Sequence, residues 1–533
     1  MKYDAVVVGA GHNGLVCAAY LARSGLTVLV LERAEEVGGA TRTLEIAPGY
    51  RAPALLDDAG RLRRSVIRDL RLESFRLLKP EVPAFIPHPD GGGLALHADP
   101  LRTAEELKAR SPQDAEAYAG FDRRIRSMAS FLAYVAVATP PNIEEPSLGD
   151  AIAGLRIGRA FRRLGERAGR EVLRTLPMPV ADLVGDFFET DLLRAVLASR
   201  GVALTAMGPW TAGSAAVFLM DAVGGGGAAG RTAYVEGGPG ALSRVLEGAA
   251  RAAGADVRTG AEVVGITSRG ERATGAALAS GEEIAARAVV SAADPKRTLR
   301  WLDPVAAGPS LLWRGRHIRA PGTVAKVNLA LSALPTFREV KDRALLSGKI
   351  VIGPGIDHLE RAADDAKYGR ISEAPWLEVT IPSLTDSTLA AEAGHVMSVF
   401  FHSAPYEVRD GGWNARARDL VGRTTLSILE RYAPGIGKLV EARQVLAPPD
   451  IEEEFGVTNG SILHAEPGLD QFFAWRPLLG HARYRFGIPG LYLAGSGAHP
   501  GGGITGGPGA NAAREILADL RRLPRPTGLA SGA

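Results

Sequence analysis

The chain has 533 residues, 46% hydrophobic and 23% charged, and its 62 Lys and Arg against 59 Asp and Glu leave a net charge of +3. That composition excludes collagen-like and wholly disordered classes and calls for sizeable cores in two or three domains, while so small a surplus argues against nucleic-acid binding. The single cysteine, Cys17, excludes an intramolecular disulfide, a CxxC redox pair or a cysteine-rich zinc site.

In chain order, Tyr3–Val8 (YDAVVV) reads as a strand buried on both faces. Its apolar stretch is too short for a signal peptide, and no later run is long enough to span a membrane, so cytoplasmic residence is expected. Gly9-Ala10-Gly11-His12-Asn13-Gly14 then supplies G-x-G-x-x-G, followed by a helix ending near Gly25 and a second strand, Leu26–Leu31. In such a β-α-β unit Gly9 permits the turn, Gly11 lets a pyrophosphate approach the backbone, and Gly14 allows close helix–strand packing. The helix N-terminus favours the anion, and Glu32 at the end of the second strand can accept hydrogen bonds from ribose hydroxyls. His12 and Asn13 read as turn residues, Asn13 being also a candidate cofactor contact.

Beyond Glu32 come Arg33, the pair Gly38-Gly39, and the hydroxyls of Thr41 and Thr43. This extension resembles that of the glutathione-reductase-like flavoproteins of the amine-oxidase and phytoene-desaturase type; the resemblance implies that Arg33, Gly38, Gly39 and Thr41 wrap the ribose and phosphates of FAD. The alternative is a surface loop. Amine oxidases usually carry an arginine directly after the paired glycines; here Ala40 stands there, which is closer to the carotenoid-ketolase-like branch and its uncharacterised oxidoreductase relatives. Gly49–Asp58 (GYRAPALLDD), expected to border the flavin, departs from related sequences by carrying Ala52-Pro53 in place of an aromatic-acid pair.

Arg156, Arg159, Arg163, Arg167, Arg170 and Arg174 are spaced to form one stripe of a single helix over 156–174. That predicts either a lid helix or peripheral contact with an anionic membrane. Tyr234–Gly240 (YVEGGPG) leads into a helix and strand-like segments, where the resemblance implies that Val263 contacts adenine. Strands are predicted at 322–332, 376–382 and in GHVMSVFFHSAP, and a helix at 411–433. His464, Asp470 and Arg476 in GSILHAEPGLDQFFAWRP are tempting names, yet polar residues in such a loop more often orient backbone, and no catalytic residue is assigned. The segment 490–520 looks like the closing FAD motif of the carotenoid desaturases. By that resemblance Gly495 and Ser496 approach the ribityl or phosphate, and Gly503, Ile504 and Thr505 pass beside the flavin ring ahead of a helix starting near Gly506.

The expectation is an α/β protein: a glutathione-reductase-like FAD-binding Rossmann domain, discontinuous over 1–80, 230–300 and 455–525, with an inserted α+β substrate or lid domain over 81–229 and 301–454 and a flexible tail at 526–533. FAD is the predicted cofactor. The predicted activity is hydride removal from a C–H bond of a small apolar, isoprenoid- or carotenoid-like substrate. An amine or amino-acid oxidase, or a flavin-binding interaction protein without turnover, is the alternative. No second G-x-G-x-x-G in strand–helix context occurs, and no metal site is expected.

Overall fold

The β-branched run Tyr3–Val8 forms a strand buried along almost its whole length, as a strand covered on both faces must be. In this computed structural model, which describes residues 3–522, it pairs in parallel with Val28–Leu31 on one side and with the end of Glu283–Ser291 on the other. Asp256–Arg258 and Leu491–Leu493 extend the parallel part outward. The start of Glu283–Ser291 instead pairs antiparallel with Arg272–Leu278, which joins Val263–Arg269. Three separated stretches of sequence thus supply one seven-stranded sheet. The helix His12–Arg23 packs against Pro239–Ala252 and Gly507–Arg522, and its Leu15, Val16, Ala18 and Leu21 share a core with Val6, Val7, Val289 and Ile516. The result is a mixed α/β, Rossmann-type dinucleotide-binding fold.

A second seven-stranded sheet runs in the order Val440–Leu446, Val324–Leu331, His395–His402, Leu377–Thr380, Lys349–Ile352, Ala84–Pro87, Gly93–Leu96. Side chains alternate between its faces. Val327, Leu329, Leu331, Val399, Phe401 and Ile350 enter one core with Val421, Leu429 and Tyr432 of the helix Ala415–Tyr432. The opposite face carries polar groups among apolar ones: Lys326 stands across from Phe400, Asn328 from Ser398, and Thr380 also from Ser398. Ser398 Oγ donates to Asn328 Oδ1 at 2.6 Å, and Asn328 Nδ2 donates to the Pro53 carbonyl at 3.3 Å, tying this face to the nucleotide-binding side of the molecule.

A helical layer completes the molecule, with Phe121, Ile125, Leu193, Val196 and Phe218 in its core. One expectation is corrected here. The segment 156–174 is not one helix: Leu148–Arg163 and Gly165–Thr175 are separate, broken where Gly165 takes φ +80°, a conformation L side chains adopt only with strain. Arg170 pairs with Glu166, Arg174 with Asp186 at 2.7 Å, and Arg167 with Glu171 at 3.6 Å. Among the described residues no helix is long and apolar enough to cross a membrane. The tail at 526–533 lies outside the described residues.

Candidate active site

At the end of the first strand the chain must reverse into a helix within three residues, and Gly9 does so at φ +98°. A Cβ on Gly14 would stand 2.1 Å from the Gly9 carbonyl oxygen, so only glycine lets the helix approach the strand this closely. A Cβ on Gly11 would meet nothing nearer than the Gly38 carbonyl oxygen at 3.9 Å; the space in front of it is open. Gly11 caps the helix without a side-chain hydrogen bond, and no acidic residue stands in the first turn. The leading N–H groups therefore border a cavity of about 400 Å³ with the positive end of the helix dipole behind them.

That cavity brings together Gly9, Gly11, Asn13, Gly14, Glu32, Arg33, Gly38, Gly39, Val263 and Ser496 of the predicted residues. Glu32 has a second duty: its carboxylate accepts from the backbone N–H of Ala10 at 2.7 Å and of Ala34 at 3.0 Å, bracing the glycine turn. Arg33 donates to the carbonyls of Glu453 and Glu454 at 2.7 and 2.8 Å, so its guanidinium holds the far wall. Asn13 Nδ2 donates to Ser496 Oγ at 3.3 Å, linking the first motif to the last.

Other predicted residues lie elsewhere. Thr41 is fully buried away from this cavity; its hydroxyl donates to the Gly38 carbonyl at 2.8 Å and contacts Ser243 Oγ at 2.8 Å, so it serves the loop's shape. Gly495 lines neither this cavity nor its neighbour, and its ideal Cβ would fall 2.4 Å from the Ala292 carbonyl oxygen; it is a packing glycine. Gly503, Ile504 and Thr505 line the neighbouring cavity. Of the loop residues left unassigned, Arg476 is buried and donates to the backbone carbonyls of Leu463, Ala465, Glu466, Gln471 and Ser496, while Asp470 pairs with Arg319 at the surface. His464 lines the first cavity with Nδ1 unpartnered.

The neighbouring cavity, also about 400 Å³, shares Leu56 with the first. Leu204, Val217, Met220, Phe400, Phe472 and Ile504 give it an apolar body, and Asp57, Asp58, Lys349 and Glu378 a charged wall. Asp57 accepts from Thr380 Oγ1 at 2.7 Å, and Lys349 Nζ lies 3.4 Å from both Asp58 and Glu378. Burial pushes the Glu378 carboxyl above its usual range, and the neighbouring carboxylates push it the same way against the pull of Lys349. Lys326, one row over, sits 3.7 Å above the Phe400 ring, and burial lowers its ammonium to about 8. Sequence reasoning missed this wall. Its signal was faint, as KIVI and LEVT each carry a single charged residue, Lys349 and Glu378, among mostly apolar neighbours, and such a strand reads equally as one with a face in water.

The first cavity fits a dinucleotide on the molecule's own terms. His12 Nε2, Asn13 Oδ1, His464 Nδ1 and Arg297 Nε are buried without hydrogen-bond partners around it, and buried polar atoms left so are costly unless a ligand satisfies them. Burial holds the His12 imidazole at about 4, hence neutral at pH 7. A phosphate cradle adjoining a mostly apolar cavity at Leu56 is the architecture of an FAD-dependent oxidoreductase.

Comparison with known proteins agrees. The NAD(P)-binding Rossmann-like domain family matches residues 7–57. Pyridine nucleotide-disulfide oxidoreductase domain-containing protein 2 of Mus musculus is 34% identical over 98% of this chain and 94% of its own length, and the chain belongs to that protein's family. A limonene dehydrogenase polypeptide of Castellaniella defragrans is 27% identical (97% and 95% covered), and the lycopene-forming phytoene desaturase of a Paracoccus species 24% (97% of each). Putrescine oxidase, solved with putrescine bound, shares the fold at a TM-score of 0.61 and 17% identity, over 98% of this chain and 100% of its own. Despite the family's name, Cys17 is the sole cysteine and is buried, so disulfide chemistry within one chain is absent.

Proposed function

We propose that this FAD-dependent oxidoreductase is of the dehydrogenase or desaturase type and removes hydride from a C–H bond of an apolar, isoprenoid-like substrate. The observation that carries the reading is the apolar cavity directly beyond the nucleotide cradle, walled by Leu204, Val217, Met220, Phe400 and Phe472 and floored by the Gly501–Thr505 turn. Bound FAD supplies the hydride-accepting ring. The chain's own residues do the rest: the Gly9–Gly14 turn and the first helix hold the pyrophosphate, Glu32 the ribose, and Val263 the adenine edge. Gly503, Ile504 and Thr505 border the reacting end, and the apolar walls exclude water and align the C–H bond. A glutathione-reductase-like domain over 1–80, 230–300 and 455–525, and a substrate domain over 81–229 and 301–454, are the division this reading adopts.

The test is anaerobic mixing of the FAD-loaded protein with isoprenoid hydrocarbons and alcohols, limonene and geraniol among them, and separately with putrescine and other amines. Bleaching of the oxidised flavin by the isoprenoids but not by amines is the expected result. Reduction by amines alone, with peroxide released on admitting oxygen, would establish the amine-oxidase alternative.

A further inference from the structure

The charged wall of the second cavity is unusual for a site that handles hydrocarbon alone. Lys349 Nζ carries three donors, yet it meets Asp58 and Glu378 only at 3.4 Å, beyond ordinary N–H···O length, and no acceptor among the described residues takes a hydrogen bond from it. The Glu378 carboxyl likewise receives none. Both line the cavity beside Phe400, Met220 and Leu204. Immediately around Lys349 and Glu378 the charges balance, with Asp57, Asp58, Asp221 and Glu378 facing Lys326, Lys349, Arg61 and Arg200, and Asp221 held by Arg200 at 2.7 Å, while Arg63, Arg64, Arg231 and Arg476 line other parts of the cavity. A charged ligand group placed between Lys349 and Glu378 would find its counter-charge already facing an opposite charge. A hydrocarbon would leave the spare donors and acceptors unmet.

We propose that the substrate is a neutral amphiphile whose hydroxyl group docks between Lys349 and Glu378, accepting from the ammonium and donating to the carboxyl, while its apolar body fills the cavity toward Ile504. This rests on the second cavity being the substrate site. It adds a polar anchor that the hydride-removal reading does not require.

Matched ten-carbon probes test it: decane, 1-decanol, decanoate and decylamine, titrated into the FAD-loaded protein by calorimetry and by perturbation of the flavin absorbance. The wild type should bind 1-decanol at least tenfold more tightly than each of the other three. Lys349→Met should abolish that preference and leave decane affinity within about twofold. Should this variant fail to retain FAD because two carboxylates are left facing each other, Lys349→Met combined with Glu378→Leu removes both signs of charge and carries the same expectation. No binding of 1-decanol, equal affinity for decane, or tighter binding of decanoate or decylamine overturns the anchor, as does a 1-decanol preference that survives the variants. Failure of the substrate-site reading has its own signature: 1-decanol then binds without disturbing the flavin spectrum, and the anchor falls with it.

Discussion

Gly11 and Gly14, neighbours in the first turn, have opposite reasons for being glycine, and substitution separates them. Gly11 faces open space, so Gly11→Val should keep the fold and its melting temperature in the cofactor-free state but lose FAD, because the branched side chain enters the pyrophosphate's path. Gly14 abuts backbone, so Gly14→Ala should lower the melting temperature even without cofactor. Paired measurements of thermal unfolding and flavin content check both. Glu32→Ala removes the acceptor for two backbone N–H groups and, in the proposed binding mode, a ribose contact; with hydrogen bonds to charged groups worth about 1.5–3 kcal/mol, FAD affinity by equilibrium dialysis should fall by roughly 10- to 100-fold. Acid sensitivity follows from the histidines. Burial lowers His12 to about 4 and His499 to about 3 from an ordinary 6.5. Between those values the unfolded chain binds more protons than the folded one, so stability declines as pH falls from about 6.5 toward 4. For His12 the full effect is about 3 kcal/mol. Unfolding in denaturant across this range should show the decline, and a flat profile would contradict it.

At the scale of elements, the buried strands and the clearly periodic helix were the easiest to read. The β-branched Tyr3–Val8, the predicted strand at 322–332 and the helix at 411–433 are found as Tyr3–Val8, Val324–Leu331 and Ala415–Tyr432, because continuous burial or a clear period leaves few alternatives. The arginine segment misled for a physical reason: its spacing is helical throughout, but periodicity says nothing about a single glycine turning to positive φ, and Gly165 ends one helix and begins another. Peripheral membrane contact, as a proposal, then falls to Leu148–Arg163, where Leu148, Ile152 and Leu155 are exposed along one stripe near Arg156, Arg159 and Arg163. Co-sedimentation with anionic vesicles at low salt should retain the wild type and release the combined Arg156→Glu, Arg159→Glu and Arg163→Glu variant. Wild type left in the supernatant, or a variant that pellets equally, would remove the membrane role.

Across the whole molecule, the nucleotide cradle was legible because phosphate binding constrains backbone, and backbone constraints appear as glycines at fixed spacing. The substrate wall was not, because Asp57, Lys349 and Glu378 come from three distant segments brought together only by the pairing of the second sheet and its approach to the 50–58 segment. Thr41 and Gly495 show the converse: both sit in the right motifs, yet close packing, rather than the cavity, occupies them. The measurement that tests the central claim most directly is the identity and occupancy of the cofactor in the purified protein. Acid precipitation should release intact FAD at close to one per chain from a yellow wild type, and much less from Gly11→Val. A colourless protein that binds NAD but not FAD in calorimetry would contradict the account.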